Sequence, residues 1–457
     1  MSKIEFKKGF FECIAAADAE KVHSQTIGWI LSDECGVYTQ EERKSILQEL
    51  LLGQNENFDF GRIKSVDVEI NDIDIQITCD NCLIVIENKL KSSQHSNQLF
   101  KYEYLTANNE EEARHSFLQW KFPIEYKQWK KDNPGLEDKG NKFLEFLQNP
   151  PINKDAEKVL NKFVLNNKDI KKVIYFYLTL GDEDPKGTKG RWINVKYKKL
   201  VEVLEKFHEE VLDKSKPNYL ILKDYIETLN RLTATTEKIL EFPFPKELEF
   251  VFTEGKTKKG ISVRNKSESQ IEIYIRDLQL ETLLQKVYYG NLLNHVEKRL
   301  GKLQEYKIES SSISETRGTA LLDFFFDDVI FGNITYIPVL QFQGKAIKLG
   351  LSEKGFFYKR ISPTVSNDEI NIKEDRKNQF AEKIHQNFDK MCMLEECTLE
   401  EIKNKLSTPK MDFGFMSFPL YDDEKYWQLN DEIINKVDFV LSYINYSFNI
   451  LNEIRTK

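Results

Sequence analysis

Residues 64–105 read KSVDVEINDIDIQITCDNCLIVIENKLKSSQHSNQLFKYEYL. Ile73, Ile75 and Ile77 alternate with Asp74, Gln76 and Thr78, which predicts a half-buried strand over 73–79. The next run, Cys82–Ile86, is almost continuously apolar, as in a strand buried on both faces, and it ends in Glu87-Asn88-Lys89. Asp80-Asn81 between the runs is a turn pair, so the two strands form a hairpin. Alternation places Glu87 and Lys89 on one face and Asn88 on the other. The hairpin returns Asp74 to the Glu87 end, bringing Asp74, Glu87 and Lys89 within reach of one cation. A helix over about 94–107 follows and carries Gln98 and Tyr102 one turn apart.

Two carboxylates and a lysine are the minimal kit for metal-dependent phosphodiester hydrolysis. Magnesium prefers carboxylate oxygens and keeps waters and phosphate oxygens in its shell. Asp74, Glu87 and the main-chain carbonyl of Asn88 could supply its protein ligands. The ion would lower the pKa of a bound water and offset charge on the phosphate. Lys89 would orient that water or stabilise the pentavalent state, with a pKa lowered by the neighbouring cation. Asp72 shares strand parity with Asp74 and is its rival; Asp74 is preferred because it begins the alternation. Asp67 and Glu69 lie further from the Glu87 end.

The order Asp, then Glu-x-Lys closing a hydrophobic strand, resembles the PD-(D/E)XK nuclease superfamily. Ile84–Leu90 (IVIENKL) followed by Asn97–Tyr102 (NQLFKY) looks like its bacterial subgroup related to restriction endonucleases. Upstream, Glu20-Lys21-Val22-His23-Ser24 with Trp29-Ile30-Leu31 resembles that subgroup's first helix, whose glutamate often joins the metal site. Downstream, Val173–Leu180 and Trp192–Tyr197 resemble its later core strands. No proline precedes Asp74, a departure the family tolerates. The resemblance covers roughly the first half of the chain.

It implies an α/β fold, a restriction-endonuclease-like mixed sheet flanked by helices. It also implies an endonuclease that uses magnesium, with manganese as a substitute, to cut DNA in bacterial defence against foreign DNA. Asp74, Glu87, Asn88 and Glu20 would serve the metal, Lys89 the water, and Gln98 and Tyr102 would brace the site. RNA stays open as a substrate, because a phosphodiester site does not itself read the 2′-hydroxyl. The alternative from another class is a non-cutting, nuclease-like binding or scaffold protein, against which the intact Asp74, Glu87 and Lys89 argue. No Ser/His/Asp or GxSxG signal supports a small-molecule hydrolase.

Each candidate has a plainer reading beside it. Glu87 and Lys89 could be a surface pair at a strand end. Gln98 and Tyr102 could be simple helix-face packing, and Glu20 a solvated residue. His23, one turn from Glu20, reads more readily as a satisfied structural histidine than as a DNA contact. Lys91, Ser92 and Ser93 fit phosphate binding or a plain helix start. Cys79-x-x-Cys82 straddles the hairpin turn with no partner pair, and Cys392 and Cys397 are equally unsupported as ligands. Lysine-rich stretches at Tyr126–Lys131 and Lys186–Lys199 could line a basic groove; their aromatics Trp129, Trp192 and Tyr197 stack bases there or merely pack.

The chain has 457 residues, a net charge of -8, a pI near 5.6 and a mean hydropathy of -0.52. That length predicts two domains, and the charge argues against a general nucleic-acid coat while allowing a local basic groove. The prolines of Phe242–Pro245 mark the boundary. Residues 1–241 form the first domain, with helices at 9–31 and 39–53 and a helical insertion at about 108–168. Residues 246–457 form an α+β domain for recognition, partner binding or dimerisation. Its predicted strands are 247–253, 260–265, 270–275 and several within 303–362; its helices are 276–302, 375–391, 398–406 and 430–455. No apolar run could span a bilayer and the N-terminus lacks a signal-peptide pattern, which predicts a cytoplasmic protein with reduced cysteines and no membrane partner. A homo-oligomer or an activating partner protein is compatible with the chain.

Overall fold

A computed structural model describes residues 6, 8–14, 16–17, 19–51, 58–90, 97–133, 172–181, 184–185, 190–241, 244–253, 269–300, 303–316, 319–331, 334–343, 346–353, 378–379, 382, 415–422 and 433–455. The chain divides into two compact units, Met1–Ala234 and Thr235–Lys457.

The first unit is built on a five-stranded mixed sheet. Its strands are β1 (Ile63–Ile70), β2 (Ile73–Cys79), β3 (Leu83–Lys89), β4 (Val173–Thr179) and β5 (Trp192–Lys196), lying side by side in chain order. β1, β2 and β3 are antiparallel, and β4 and β5 add in parallel. The β1–β2 turn is Asn71-Asp72, both left-handed (φ 53° and 65°); such a pair matches the twist of the flanking strands. At the β2–β3 turn, the Cys79 N–H donates to the Cys82 carbonyl at 2.9 Å. β2 alternates buried and half-buried residues, whereas every residue of the central β3 is buried. That contrast follows from the two hydrophobic patterns in the sequence.

Helices cover both faces of this sheet. They are α1 (Glu20–Leu31), α2 (Gln40–Leu51), α3 (Gln98–Thr106), α4 (Glu110–Lys121), α5 (Pro123–Asp132), α6 (Tyr197–Glu210) and α7 (Tyr219–Ile239). Ile27 and Ile30 of α1, Ile46 of α2 and Leu200 and Leu204 of α6 meet Ile86, Phe176 and Val195 on one face. Leu99 and Tyr102 of α3 pack with Val85, Tyr175, Tyr177 and Trp192 on the other. α1 lies close against β1: a Cβ on Gly28 would come within 2.4 Å of Val68 Cγ2.

The helix expected over 9–31 is broken. A single turn, Phe10–Cys13, precedes α1. Asp224 of α7 accepts the N–H groups of Phe10 and Phe11 at 2.8 and 3.3 Å, and Arg231 Nε pairs with Glu12 at 2.6 Å. The Ala17 carbonyl is taken by His23 Nε2 at 2.9 Å. Tertiary partners thus override the helix propensity of the alanine-rich stretch. Within the expected 108–168 insertion, α4 and α5 are helical, and 134–168 lies outside the described residues.

The second unit holds helices α8 (Gln270–Leu278), α9 (Glu281–Leu300) and α10 (Ile433–Arg455) with an antiparallel sheet. Its strands are β6 (Ile308–Thr316), β7 (Thr319–Phe326), β8 (Val329–Phe331), β9 (Ile334–Gln343), β10 (Ala346–Glu353) and β11 (Phe415–Asp422), ordered β11-β10-β9-β7-β6 with β8 beside β9. Two expected strands are helical instead. Residues 247–253 form a 3-10 turn at Lys246–Leu248 and a helical turn at Phe250–Thr253. Residues 270–275 start α8: Ser269 caps it by accepting the Glu272 N–H, and Ile271, Tyr274, Ile275 and Leu278 are buried at helical spacing. The isoleucines at 271, 273 and 275 fit a strand, but Ile271, Tyr274, Ile275 and Leu278 form a helical stripe, and the cap favours the helix. The expected strand 260–265 and helix 398–406 lie outside the described residues, as does nearly all of 375–391. Among the described residues, no helix is long and apolar enough to cross a membrane.

Candidate active site

Ile75 faces Ile86 and Ile77 faces Ile84 across β2 and β3. One step further along that register sets Asp74 opposite Glu87. The Asn88 N–H donates to Asp74 Oδ2 at 2.7 Å. Glu87 is 0% exposed, and Lys89 Nζ lies 2.6 Å from its Oε1. Neither Glu87 oxygen makes an aligned hydrogen bond to a described residue.

Burying a carboxylate disfavours its charged form. Burial raises the Asp74 pKa to about 6, against the opposing pull of the Asn88 N–H and Lys89. Burial and then the Asp74 charge push Glu87 up to about 8, despite Lys89. For Lys89, burial lowers the pKa, but Glu87, Glu20 and Asp74 together outweigh it and the net shift is upward. The lowered lysine pKa expected beside a cation therefore requires the cation to overcome these carboxylates.

Glu20 opens α1, and Asn88, Lys89 and the residue just past β3, Leu90, all address it. Asn88 Nδ2 donates to its carbonyl at 3.1 Å, the Leu90 N–H to its Oε2 at 3.1 Å, and Lys89 Nζ lies 3.9 Å from its Oε1. The Asn88 side chain also donates to Ser24 Oγ at 3.0 Å and accepts from the Tyr197 hydroxyl at 2.6 Å. As strand alternation predicted, it points away from Glu87 and Lys89, leaving only its main-chain carbonyl for a metal.

The donor set fits a hard divalent cation. Two adjoining carboxylates with raised proton affinity are a place where positive charge is favoured. Among the described residues, no group of three or more His, Cys, Asp or Glu is arranged to hold a metal. A cation here would rest on Asp74 and Glu87 and fill its shell with water and phosphate oxygens, as magnesium does. Glu20 stands at the edge of this pair, across Lys89.

Gln98 Nε2 donates to the Tyr102 hydroxyl at 2.7 Å, and that hydroxyl donates to the Asp72 carbonyl. Burial, then the charges of Glu87 and Asp74, raise the Tyr102 pKa. These two residues therefore stand next to the carboxylates. The Asp72 carboxylate is 80% exposed and pairs with Lys101, away from the group. Asp67 accepts from Ser65 and Glu69 lies 4.0 Å from Lys21, both outside the group. His23 is a buried structural histidine between Tyr225 and the Ala17 carbonyl. Cys79 and Cys82 are buried free thiols facing each other across the hairpin turn. Trp129, Trp192 and Tyr197 are all buried, so none is a base-stacking platform. Lys91, Ser92, Ser93, Cys392, Cys397 and residues 186–189 lie outside the described residues.

Sequence reasoning missed Glu103. It is buried on α3, accepts from Trp192 Nε1 at 2.9 Å and Ser116 Oγ at 3.0 Å, and lies 3.7 Å from Arg191. It ties the helix bearing Gln98 and Tyr102 to β5 and α4. Its only sequence signal was a charged residue on the helix face that also carries Leu99 and Tyr102.

A family model described as the PD-(D/E)XK nuclease superfamily matches residues 8–227. No curated protein and no solved structure matches the chain.

Proposed function

Because residues 8–227 belong to the PD-(D/E)XK nuclease superfamily, we propose that this protein is a magnesium-dependent endonuclease that hydrolyses DNA in the bacterial cytoplasm, in defence against foreign DNA. Manganese would substitute for magnesium. The nuclease domain runs to residue 241, and residues 246–457 provide recognition, partner binding or dimerisation.

The observation that carries this reading is Glu87: wholly buried, across from Asp74, without an aligned hydrogen bond and with Lys89 Nζ at 2.6 Å. In its charged form a core-facing glutamate in that state is a weak source of stability; it makes sense as a group held ready for positive charge. Asp74 and Glu87 would hold the ion, the Asn88 carbonyl would complete the protein ligands, and Glu20 would assist from the edge. Bound magnesium would supply Lewis acidity and a more acidic water. Lys89 orients the attacking water and balances charge gathering on the phosphate. The Gln98–Tyr102 pair keeps α3 against the Asp72 turn and so holds the β2 end of the site in place.

The test is cleavage of plasmid, linear and single-stranded DNA and of RNA, with magnesium or manganese, by wild type, Glu87→Ala and Lys89→Ala. Cutting lost in both variants supports the reading and names the substrate; cutting of RNA alone moves the substrate class. Absent cutting with a metal-induced melting shift points to a missing activator. Absent cutting and no shift leaves the scaffold alternative.

A further inference from the structure

We propose that Asn88 and Tyr197 form a buried positioning pair that holds Glu20 at the cation site, so that this pair sets how much divalent metal the protein requires. The inference rests on the nuclease reading for the identity of the site, and on geometry of its own for the pair.

An asparagine amide has two donor hydrogens and one acceptor oxygen. In Asn88 each has a partner, and the residue is 0% exposed. The Tyr197 hydroxyl donates to Oδ1 at 2.6 Å, which fixes the amide orientation and turns Nδ2 toward α1. Nδ2 then donates to the Glu20 carbonyl and to Ser24 Oγ, at 3.1 and 3.0 Å. These bonds grip the first turn of α1 at its first residue and one turn later. With that turn fixed, the Glu20 side chain reaches the Leu90 N–H and approaches Lys89.

The same Asn88 gives its main-chain N–H to Asp74. One residue thus registers two of the acidic groups, one through its backbone and one through its side chain. Tyr197 is itself fully buried against His23, with ring centroids 5.8 Å apart. His23 is fixed at both ring nitrogens. The pair is therefore braced from α6 and α7 and does not depend on substrate. Neither side chain of the pair touches a reacting atom; both act through Glu20.

The experiment compares wild type, Tyr197→Phe, Asn88→Ala, Glu20→Gln and the double variant Glu20→Gln/Tyr197→Phe. Two quantities are read: the magnesium or manganese concentration giving half of the metal-induced melting shift, and the melting temperature in chelator. Supporting residues around a metal commonly change its affinity by about 10–100-fold. Tyr197→Phe should raise the half-effect concentration by about tenfold, and Glu20→Gln by a similar factor. In the double variant the two effects should not add, because they act on one group. Glu20→Gln keeps the α1 packing, so the comparison survives if Asn88→Ala fails to fold. Full additivity would overturn the proposal, and so would a Tyr197→Phe variant with a lower melting temperature in chelator but an unchanged metal requirement. Because the readout is metal-induced stabilisation, the proposal is decided whether or not the isolated wild type cuts nucleic acid, and its failure is distinguishable from a failure of the nuclease reading.

Discussion

The main-chain N–H of Asn88 donates to Asp74 Oδ2 at 2.7 Å, so the strand that ends in Glu87 and Lys89 also holds the aspartate of its neighbour. The acidic pair is thereby fixed by the sheet itself. Side-chain packing adds Lys89, Glu20 and Tyr102 around it.

Stability without divalent metal should fall as pH rises. The folded pKa of Glu87 (about 8) lies above its ordinary value of 4.5, and that of Asp74 (about 6) above 3.8. The folded state therefore holds more protons than the unfolded one across this window. The stability these groups give is complete below the ordinary values and is lost as pH climbs through the folded ones. In chelator, the wild-type melting temperature should drop between about pH 5 and 8, and Glu87→Gln should flatten most of that drop. A wild-type curve as flat as that of Glu87→Gln would contradict the buried, proton-seeking glutamate.

Asp74 and Asp72 should separate cleanly. On the proposed nuclease reading, Asp74→Asn should reduce cleavage by at least about 10²-fold, the scale of a few kcal/mol of transition-state stabilisation. Asp72→Asn removes only an exposed charge paired with Lys101 and should stay within about twofold of wild type. A kinetic comparison on one cleaved substrate decides it, and the reverse ranking would move the ligand to Asp72.

Gly28→Ala should destabilise by about 1–3 kcal/mol, the usual cost of overpacking. The added methyl would meet Val68 Cγ2 at 2.4 Å. Trimming the obstacle in Gly28→Ala/Val68→Ala should recover part of that loss in a urea melt. Equal stability of the single variant and wild type would show that α1 can lift from β1 without strain.

Glu103→Leu should cost about 1–3 kcal/mol, since it leaves the buried Trp192 and Ser116 donors without their acceptor and Arg191 with Glu112 as its remaining carboxylate. Glu103→Gln keeps an acceptor oxygen and should cost less. Denaturant midpoints order the three proteins, and a Glu103→Leu variant as stable as wild type would reduce Glu103 to a bystander.

The acidic hairpin was legible because its information is local. Ile73, Ile75 and Ile77 announce β2, the unbroken Cys82–Ile86 run announces a central β3, and the turn pair joins them, so alternation alone put Asn88 on the far face. The strand expected at 270–275 failed for a related reason: a short apolar run can hold both periods, and Tyr274 and Leu278 join Ile271 and Ile275 in a helical stripe that the alternating isoleucines obscured. The break before α1 and the role of Glu103 were illegible because both depend on partners distant in sequence, Asp224 and Arg231 for one, Trp192 for the other.

The hydroxyl that orients Asn88 comes from Tyr197, 109 residues later in the chain. At synthesis rates of about 5–20 residues per second, a ribosome reaches Tyr197 roughly 5–20 seconds after it has made Asn88. Throughout that interval the nascent hairpin carries Asp74, Glu87 and Lys89 while the amide beside them has no tyrosine to orient it. Birth order thus delays the complete site until translation has passed the last strand of the sheet, a built-in lag between making the acidic residues and completing the frame that holds them.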